Sequence, residues 1–147
     1  MERSKGTDSL PIAAGAAAVG GLIAFLGVYL NWFTVTAGGV QAEVRGTEDW
    51  TGLVAVVAGL AALIGGGAAM LIKDSPVGKL GAALAGVGGV FAAAMAIIAL
   101  LRLDAIAQDV AGGPADGDWA TGLWISLIGG LVAMIGGWQS QRVGAGS

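Results

Sequence analysis

The chain has 147 residues, of which 56% are hydrophobic and only 12% are charged, and its mean hydropathy is +0.81. This composition is more apolar than that of an ordinary soluble domain and predicts a single integral membrane domain over residues 1–147. The sequence has neither Cys nor His, which excludes disulfides, thiol nucleophiles, imidazole bases and the usual soft metal ligands. Because the net charge of -3 is dispersed and forms no basic stripe, we expect no nucleic-acid partner.

Four Gly- and Ala-rich apolar segments predict an all-α membrane protein, a bundle of four transmembrane helices. The segments cover residues 12–30, 53–72, 80–102 and 122–138, with two longer loops at 31–52 and 103–121. The first segment would be about 28 Å long as a helix, close to the hydrocarbon thickness of a bilayer. A cleavable signal peptide is a competing interpretation of this segment, because basic residues precede it and small residues follow it.

A short phrase occurs twice in the chain. Asp49-Trp50-Thr51-Gly52-Leu53 opens the second segment, and Asp118-Trp119-Ala120-Thr121-Gly122-Leu123 opens the fourth. A Val-Gly-Gly phrase likewise begins at Val19 in the first segment and at Val87 in the third. The sequence therefore predicts a duplicated helical hairpin.

The positions of Lys, Arg and Trp predict how the bundle sits in the cell membrane. One end carries the basic residues Arg3, Lys5, Lys73, Lys79 and Arg142, whereas the other end carries only Arg45 and Arg102. The positive-inside rule therefore places both termini in the cytoplasm and the two longer loops outside. We predict an interfacial aromatic belt that consists of Trp32, Trp50, Trp119 and Trp124 at the outer edge and Trp138 at the inner edge.

The first outer loop predicts a β-hairpin. Phe33 and Val35 alternate with threonines before Gly38-Gly39, and Val40 and Val44 alternate with polar residues after it. Glycine readily supplies the positive φ angles that a two-residue turn requires. An isolated hairpin is marginally stable, so we expect its four apolar side chains to contact the second outer loop, the membrane surface or another subunit.

The second outer loop begins with apolar residues at helical spacing. This spacing predicts that the third helix continues outward for about two turns and ends at Gly112. Asp109, Asp116 and Asp118 are weak candidate ligands for a hard cation such as Ca²⁺, but their spacing is not that of a calcium loop. A solvated acidic loop is the alternative, and we predict neither a metal site nor a cofactor.

Small residues recur at four-residue spacing within the apolar segments. Faces of this kind let helix backbones approach closely, which is how helices associate inside a bilayer. The predicted packing positions are Gly20, Gly81, Gly89, Gly129 and Gly137. Two interpretations stay open: packing within one bundle, or a face reserved for another subunit.

Two stretches carry a family resemblance. Asn31-Trp32-Phe33-Thr34-Val35 follows the first segment, and Thr121-Gly122-Leu123-Trp124-Ile125 opens the fourth. Together with the outer hairpin they resemble the small tryptophan-containing four-span proteins of actinobacteria and related prokaryotes. The layout is also similar to that of claudin-type tetraspans, although the outer loop is shorter and lacks paired cysteines. These resemblances imply an architecture and no particular activity.

The membrane segments lack the groups that most membrane activities require. Proton-coupled carriers and rotary-ring hairpins need an ionisable group inside the membrane, whereas Arg102 lies at an outer end, from which it can reach the interface. Scattered loop acids do not predict the paired acid and base of an enzyme. We therefore predict a non-catalytic, multi-pass structural or accessory component that contacts lipid and assembles with itself or with a larger membrane complex. The alternatives are a pore or transport subunit and an outward-facing sensor or cation-binding module.

Overall fold

The computed structural model describes residues 2–48, 50–72 and 75–145, so Asp49, Lys73 and Asp74 lie outside the described residues. Five α-helices, three strands and one 3₁₀ helix follow one another in these ranges. Their order is α1 (Glu2–Val28), β1 (Asn31–Ala37), β2 (Val40–Arg45), the 3₁₀ helix (Gly46–Glu48), α2 (Trp50–Leu71), α3 (Pro76–Leu101), α4 (Leu103–Ala111), β3 (Asp116–Trp119) and α5 (Thr121–Ala145).

Helices α1, α2, α3 and α5 form a four-helix bundle. Helix α1 packs between α2 and α5, and α3 occupies the opposite corner between the same two helices. Gly21 lies beside Gly59 and Gly66 lies beside Ala14, so α1 and α2 run antiparallel. The turn from α2 to α3 is closed by Ser75, whose Oγ accepts a hydrogen bond from the backbone N–H of Gly78 at 3.2 Å and donates one to the carbonyl of Ile72 at 3.1 Å.

Three helices in the described ranges are long and apolar enough to cross a membrane. They are Trp50–Leu71, Pro76–Leu101 and Thr121–Arg142, with mean hydropathies of 2.2, 2.4 and 1.5. The apolar part of α1, Ile12–Val28, is shorter. The structure is therefore compatible with a membrane location and contains three candidate spans, where the sequence predicts four.

The distribution of side-chain size in the bundle is inverted relative to that of a soluble protein. Small side chains fill its centre, in one layer made of Ala14, Ala69 and Ala82 and in a second made of Ala24, Ala58 and Ala92. Large aliphatic side chains face outward instead, and the exposed fractions of Val57, Leu80 and Ile128 reach 68%, 70% and 55%. In water such a surface would be unusually apolar, whereas in a bilayer it faces hydrocarbon.

Glycines bring the backbones of the bundle into direct contact. A Cβ atom built on Gly21 would lie 2.5 Å from the backbone nitrogen of Leu63, and one on Gly88 would lie 2.6 Å from the carbonyl oxygen of Ala58. Real Cβ atoms essentially never approach other heavy atoms so closely. Ser126 adds a polar link between helices, because its Oγ donates to the carbonyl of Ala24 at 2.9 Å.

The predicted β-hairpin is present and belongs to a larger sheet. Its two strands are antiparallel, with Val35 opposite Ala42, and the turn uses Gly38 and Gly39 at φ angles of 58° and 80°. The sheet also contains β3, which pairs antiparallel with the other edge of β1 and places Gly117 opposite Val35. The strand order is therefore β2-β1-β3, and the sequence did not predict the third strand.

The predicted outward extension of the third helix forms a separate element. The backbone leaves helical geometry at Arg102, with φ −103° and ψ 15°, and α4 then begins at Leu103. This helix ends at Gly112, which takes the left-handed conformation at φ 71° and whose N–H donates to the carbonyl of Gln108. Gly112 was correctly predicted to end this helix, whereas the break at Arg102 was not predicted.

A pair of single-methyl substitutions tests whether close backbone contact holds the bundle together. A Cβ atom at Gly89 would collide with the backbone of Met134, whereas a Cβ atom at Gly67 would meet no atom within 4 Å. We expect Gly89→Ala to lower the free energy of unfolding by about 1–3 kcal/mol because the helices must separate. Gly67→Ala should be neutral or stabilising by up to about 1 kcal/mol. Thermal unfolding in mild detergent, followed by circular dichroism, compares the two; equal stabilities would contradict this account.

Candidate functional site

One end of the bundle carries a folded cap, defined here as β1, β2, the 3₁₀ helix, α4 and β3. The cap and the adjoining ends of the bundle helices share one hydrophobic core. Its buried members are Val28, Trp32, Phe33, Val35, Val44, Ala55, Ala96, Ala99, Ile106, Ala107 and Leu123. Because this core includes residues of α1, α2, α3 and α5, the cap is held rigidly against the bundle.

Trp32 is the centre of this junction. Its side chain is 0% exposed, and its indole Nε1 donates to the carbonyl oxygen of Gly27 at 3.0 Å. The chain leaving β2 passes directly over the ring, because a Cβ atom on Gly46 would lie 2.6 Å from Cε2 of the indole. Trp32 was predicted to be an interfacial anchor, but its complete burial means that the ring contacts protein and not lipid.

The four predicted outer-loop contact residues divide into two groups. Phe33, Val35 and Val44 are buried in the shared core, which also contains Ile106 and Ala107 of this chain's second outer loop. The second outer loop is one of the three contacts predicted for the apolar face of the hairpin. Val40, at the hairpin turn, is 70% exposed and is the one member of the set that another molecule could contact.

The remaining tryptophans lie at the two ends of the bundle. Trp50, Trp119 and Trp138 are each about half exposed, as a residue at a lipid interface would be. Trp124 is more buried and packs edge-on against Trp119, with the ring centroids 5.3 Å apart. The Nε1 atom of Trp124 is shielded and has no hydrogen-bond acceptor among the described residues.

Arg102 lies at the cap end of α3 and is partly buried. Its guanidinium carbon sits 5.4 Å from the centroid of the Trp50 ring, which is cation–π distance. The Nη1 atom is shielded from solvent, and no acceptor lies within hydrogen-bond distance of it in the part of the chain that the structure describes. A second Arg–Trp pair, Arg142 over Trp138 at 5.0 Å, lies at the opposite end, where both residues are exposed.

The acidic residues of the cap lie on its surface. Asp109, Asp116 and Asp118 are exposed, and Asp118 Oδ1 accepts a hydrogen bond from its neighbour's N–H, that of Trp119, at 2.9 Å. Glu43 accepts a 2.7 Å hydrogen bond from Asn31 Nδ2. No three acidic residues among those described come together in a group that could hold a metal ion.

The five predicted packing glycines all lie at contacts between helices of the same chain. Gly20 and Gly129 face each other between α1 and α5, and Gly89 and Gly137 lie between α3 and α5. Gly81 contacts Gly65 between α2 and α3. The backbone contacts at these positions leave no room for the helix of another subunit.

No family model, curated protein or solved structure matches this chain. The resemblance to small tryptophan-containing four-span proteins therefore stays a prediction.

Replacing Trp32 tests the junction between cap and bundle. Trp32→Phe removes the donor to Gly27 and leaves a cavity in the shared core, so we expect a loss of about 2 kcal/mol in the free energy of unfolding. The matched control Trp138→Phe alters an exposed ring and should change stability by less than about 0.5 kcal/mol. Thermal unfolding in detergent gives both values. Similar losses in the two variants would show that Trp32 does not connect the cap to the bundle.

Proposed function

We propose that this chain is a four-span integral membrane protein that acts without catalysis, as a structural or accessory component assembling with itself or with a larger membrane complex. The observation that carries the proposal is the inverted side-chain distribution of the bundle, with alanine and glycine inside and large aliphatic residues outside. Such a surface is stable in lipid and would associate or aggregate in water.

The packing of α1 supports a fourth span. Gly20 contacts α5 at Gly129, and Gly136 of α5 contacts Ala17, so α1 lies along a helix that is itself a candidate span. Helix α1 has 27 residues in all, which is about 40 Å of helix. A helix of this length packed alongside three apolar helices would cross the same membrane, even though its uncharged part is shorter than theirs.

The centre of the bundle argues against transport by a single copy. Ala24, Ala58 and Ala92 come from three different helices and pack against one another at the axis. Apart from Arg102 at the outer end of the third segment, the apolar segments also lack a charged residue that could exchange a proton or bind an ion. A pore would therefore need several copies or a larger partner, which leaves the accessory role as the proposal.

The cap has the features of a small domain that faces outward. The distribution of Lys and Arg favours cytoplasmic termini, and with four spans the cap then lies on the outer face of the cell membrane. Phe33, Val35 and Val44 are used internally, while Val40, Trp119 and the acidic residues stay exposed. A partner outside the membrane would thus meet a rigid, mainly polar surface, and a partner inside it would meet large aliphatic side chains.

The sides of the membrane on which the cap and the two termini lie distinguish four spans from three. The chain has no cysteine, so Val40→Cys supplies a unique thiol on the cap for a membrane-impermeant maleimide. We expect labelling of this thiol in intact cells, and we expect epitope tags at both termini to become accessible only after permeabilisation. An N-terminal tag on the same side as Val40→Cys would show that α1 does not cross, and the four-span proposal would be wrong.

Native mass spectrometry tests the proposed assembly. Protein extracted from its own membranes in mild detergent should carry further copies or a foreign chain in fixed ratio, and a harsh detergent should release the 14.3 kDa monomer. A bare monomer under both conditions would contradict an accessory or structural role. A homo-oligomer that also conducts ions in liposomes containing no other protein would instead favour the pore subunit.

A further inference from the structure

We propose that two copies of this chain pair through the free edges of their β2 strands, antiparallel to each other, so that the two sheets join into one across a twofold axis. The inference rests on the proposed self-assembly and adds to it the contact surface, the partner and the register. It is carried by the open edge of β2 and by charges on that strand that complement one another in a single register.

Strand β2 is an edge strand with unused backbone groups. In the order β2-β1-β3 it pairs only with β1 among the described strands. Ala37 and Val40 flank the two-residue turn, and residues in that position exchange hydrogen bonds within the hairpin. Because bonded and non-bonded positions alternate, and the irregularity in this pair lies on β1, the exposed residues Gln41, Glu43 and Arg45 direct their N–H and C=O groups away from β1. Such a row of backbone groups can pair with a further strand.

The opposite edge of the sheet, on β3, is covered by this chain's own groups. The N–H of Trp119 donates to Oδ1 of Asp118 at 2.9 Å. Helix α4 packs against Gly117, where a Cβ atom would lie 2.7 Å from the carbonyl oxygen of Leu103. Within the described residues, β2 is therefore the accessible edge.

The charges on β2 select one register for pairing with itself. With the twofold axis at Ala42, Glu43 of one copy faces Gln41 of the other, and no charges are paired. With the axis at Glu43, two carboxylates face each other, which is destabilising. With the axis at Val44, Glu43 of each copy lies opposite Arg45 of the other, so that an ion pair and backbone hydrogen bonds form on both sides of the axis.

The side chains of this ion pair are available on the outer face of the sheet. Successive side chains of a strand point to opposite faces, and Val44 between them is buried in the shared core. Glu43 and Arg45 therefore both lie on the other face, where they are exposed. A 2.7 Å hydrogen bond from Asn31 Nδ2 to Glu43 Oε2 holds the carboxylate there.

This pairing is compatible with two copies in one membrane. A sheet that continues across the axis keeps the inner faces of both copies, which carry Phe33, Val35 and Val44, on the same side. These side chains share a core with the ends of the bundle helices, so both bundles lie on that side of the joined sheet. Two copies inserted in the same orientation meet this condition.

Mixing two charge-reversal variants tests the proposal. Glu43→Lys and Arg45→Glu each place like charges opposite each other in their own homodimers. In a dimer of one with the other, every charged residue at these two positions again faces its opposite. Native mass spectrometry in mild detergent, with a short tag on one variant, separates the three species.

We expect the Kd of the homodimer to rise about tenfold in each single variant. The Kd of the mixed dimer should stay within about twofold of that of the wild-type dimer. The control Asp109→Lys reverses an exposed charge on α4, away from this edge, and should change the Kd less than about twofold.

The outcomes separate the edge from the assembly itself. Unchanged homodimer affinity in either reversal, or a mixed dimer no tighter than the two homodimers, would overturn the β2 interface and leave self-assembly through another surface. A wild-type chain that carries only a foreign protein would also overturn the interface, while the accessory role would stand. A bare wild-type monomer from native membranes would overturn both.

Cysteine cross-linking in membranes decides the matter if a reversal variant does not fold. Because the chain has no cysteine, Glu43→Cys and Arg45→Cys can be co-expressed with different tags and oxidised. A disulfide between the two differently tagged chains is expected, whereas Val40→Cys, at the turn and away from the axis, should give no disulfide-linked dimer. Absence of the mixed disulfide would overturn the interface.

Discussion

Direct contact between helix backbones is the constraint on which the rest of this structure depends. Glycines occur at all four interfaces of the bundle, and at Gly21, Gly65 and Gly89 even a single methyl group would collide with the neighbouring backbone. Close approach increases the van der Waals contact between helices. This contact matters inside a bilayer, because there an apolar side chain gains nothing by leaving lipid for the protein interior. It also moves the large side chains outward, because the interior between touching backbones has room for little more than alanine.

The same constraint explains why the cap is folded so firmly onto one end. The described interior of the bundle is filled mainly by alanine and glycine, so the bulky core of the protein is concentrated around Trp32, where the cap meets the helices. The tight interior also limits function to the outer surfaces, since Ala24, Ala58 and Ala92 close the axis. The outward-facing aliphatic side chains of the bundle and the polar surface of the cap are what another molecule can reach.

Much of this arrangement could be predicted because it depends on local patterns. The lengths of the apolar runs predicted the long helices, and the period-2 alternation around Gly38 and Gly39 predicted the hairpin. The third strand was missed because Asp116-Gly117-Asp118-Trp119 has no apolar alternation and is a strand only by pairing with β1. The burial of Trp32 depends on residues far apart in sequence, so single-residue reasoning placed this side chain at the lipid interface. The cation–π contact between Arg102 and Trp50 also joins distant residues and was not predicted.

Photolabelling of the unmodified protein in its native membrane tests the central claim most directly. A lipid-soluble diazirine, mapped by tandem mass spectrometry, marks the side chains that face hydrocarbon. On α2 the account predicts labels at the exposed residues Val57, Leu60 and Ile64 and none at Ala58 and Ala62, which face the bundle. Labels on the alanine face, or equal labelling around the helix, would show that the small residues do not form the interior and would contradict the account.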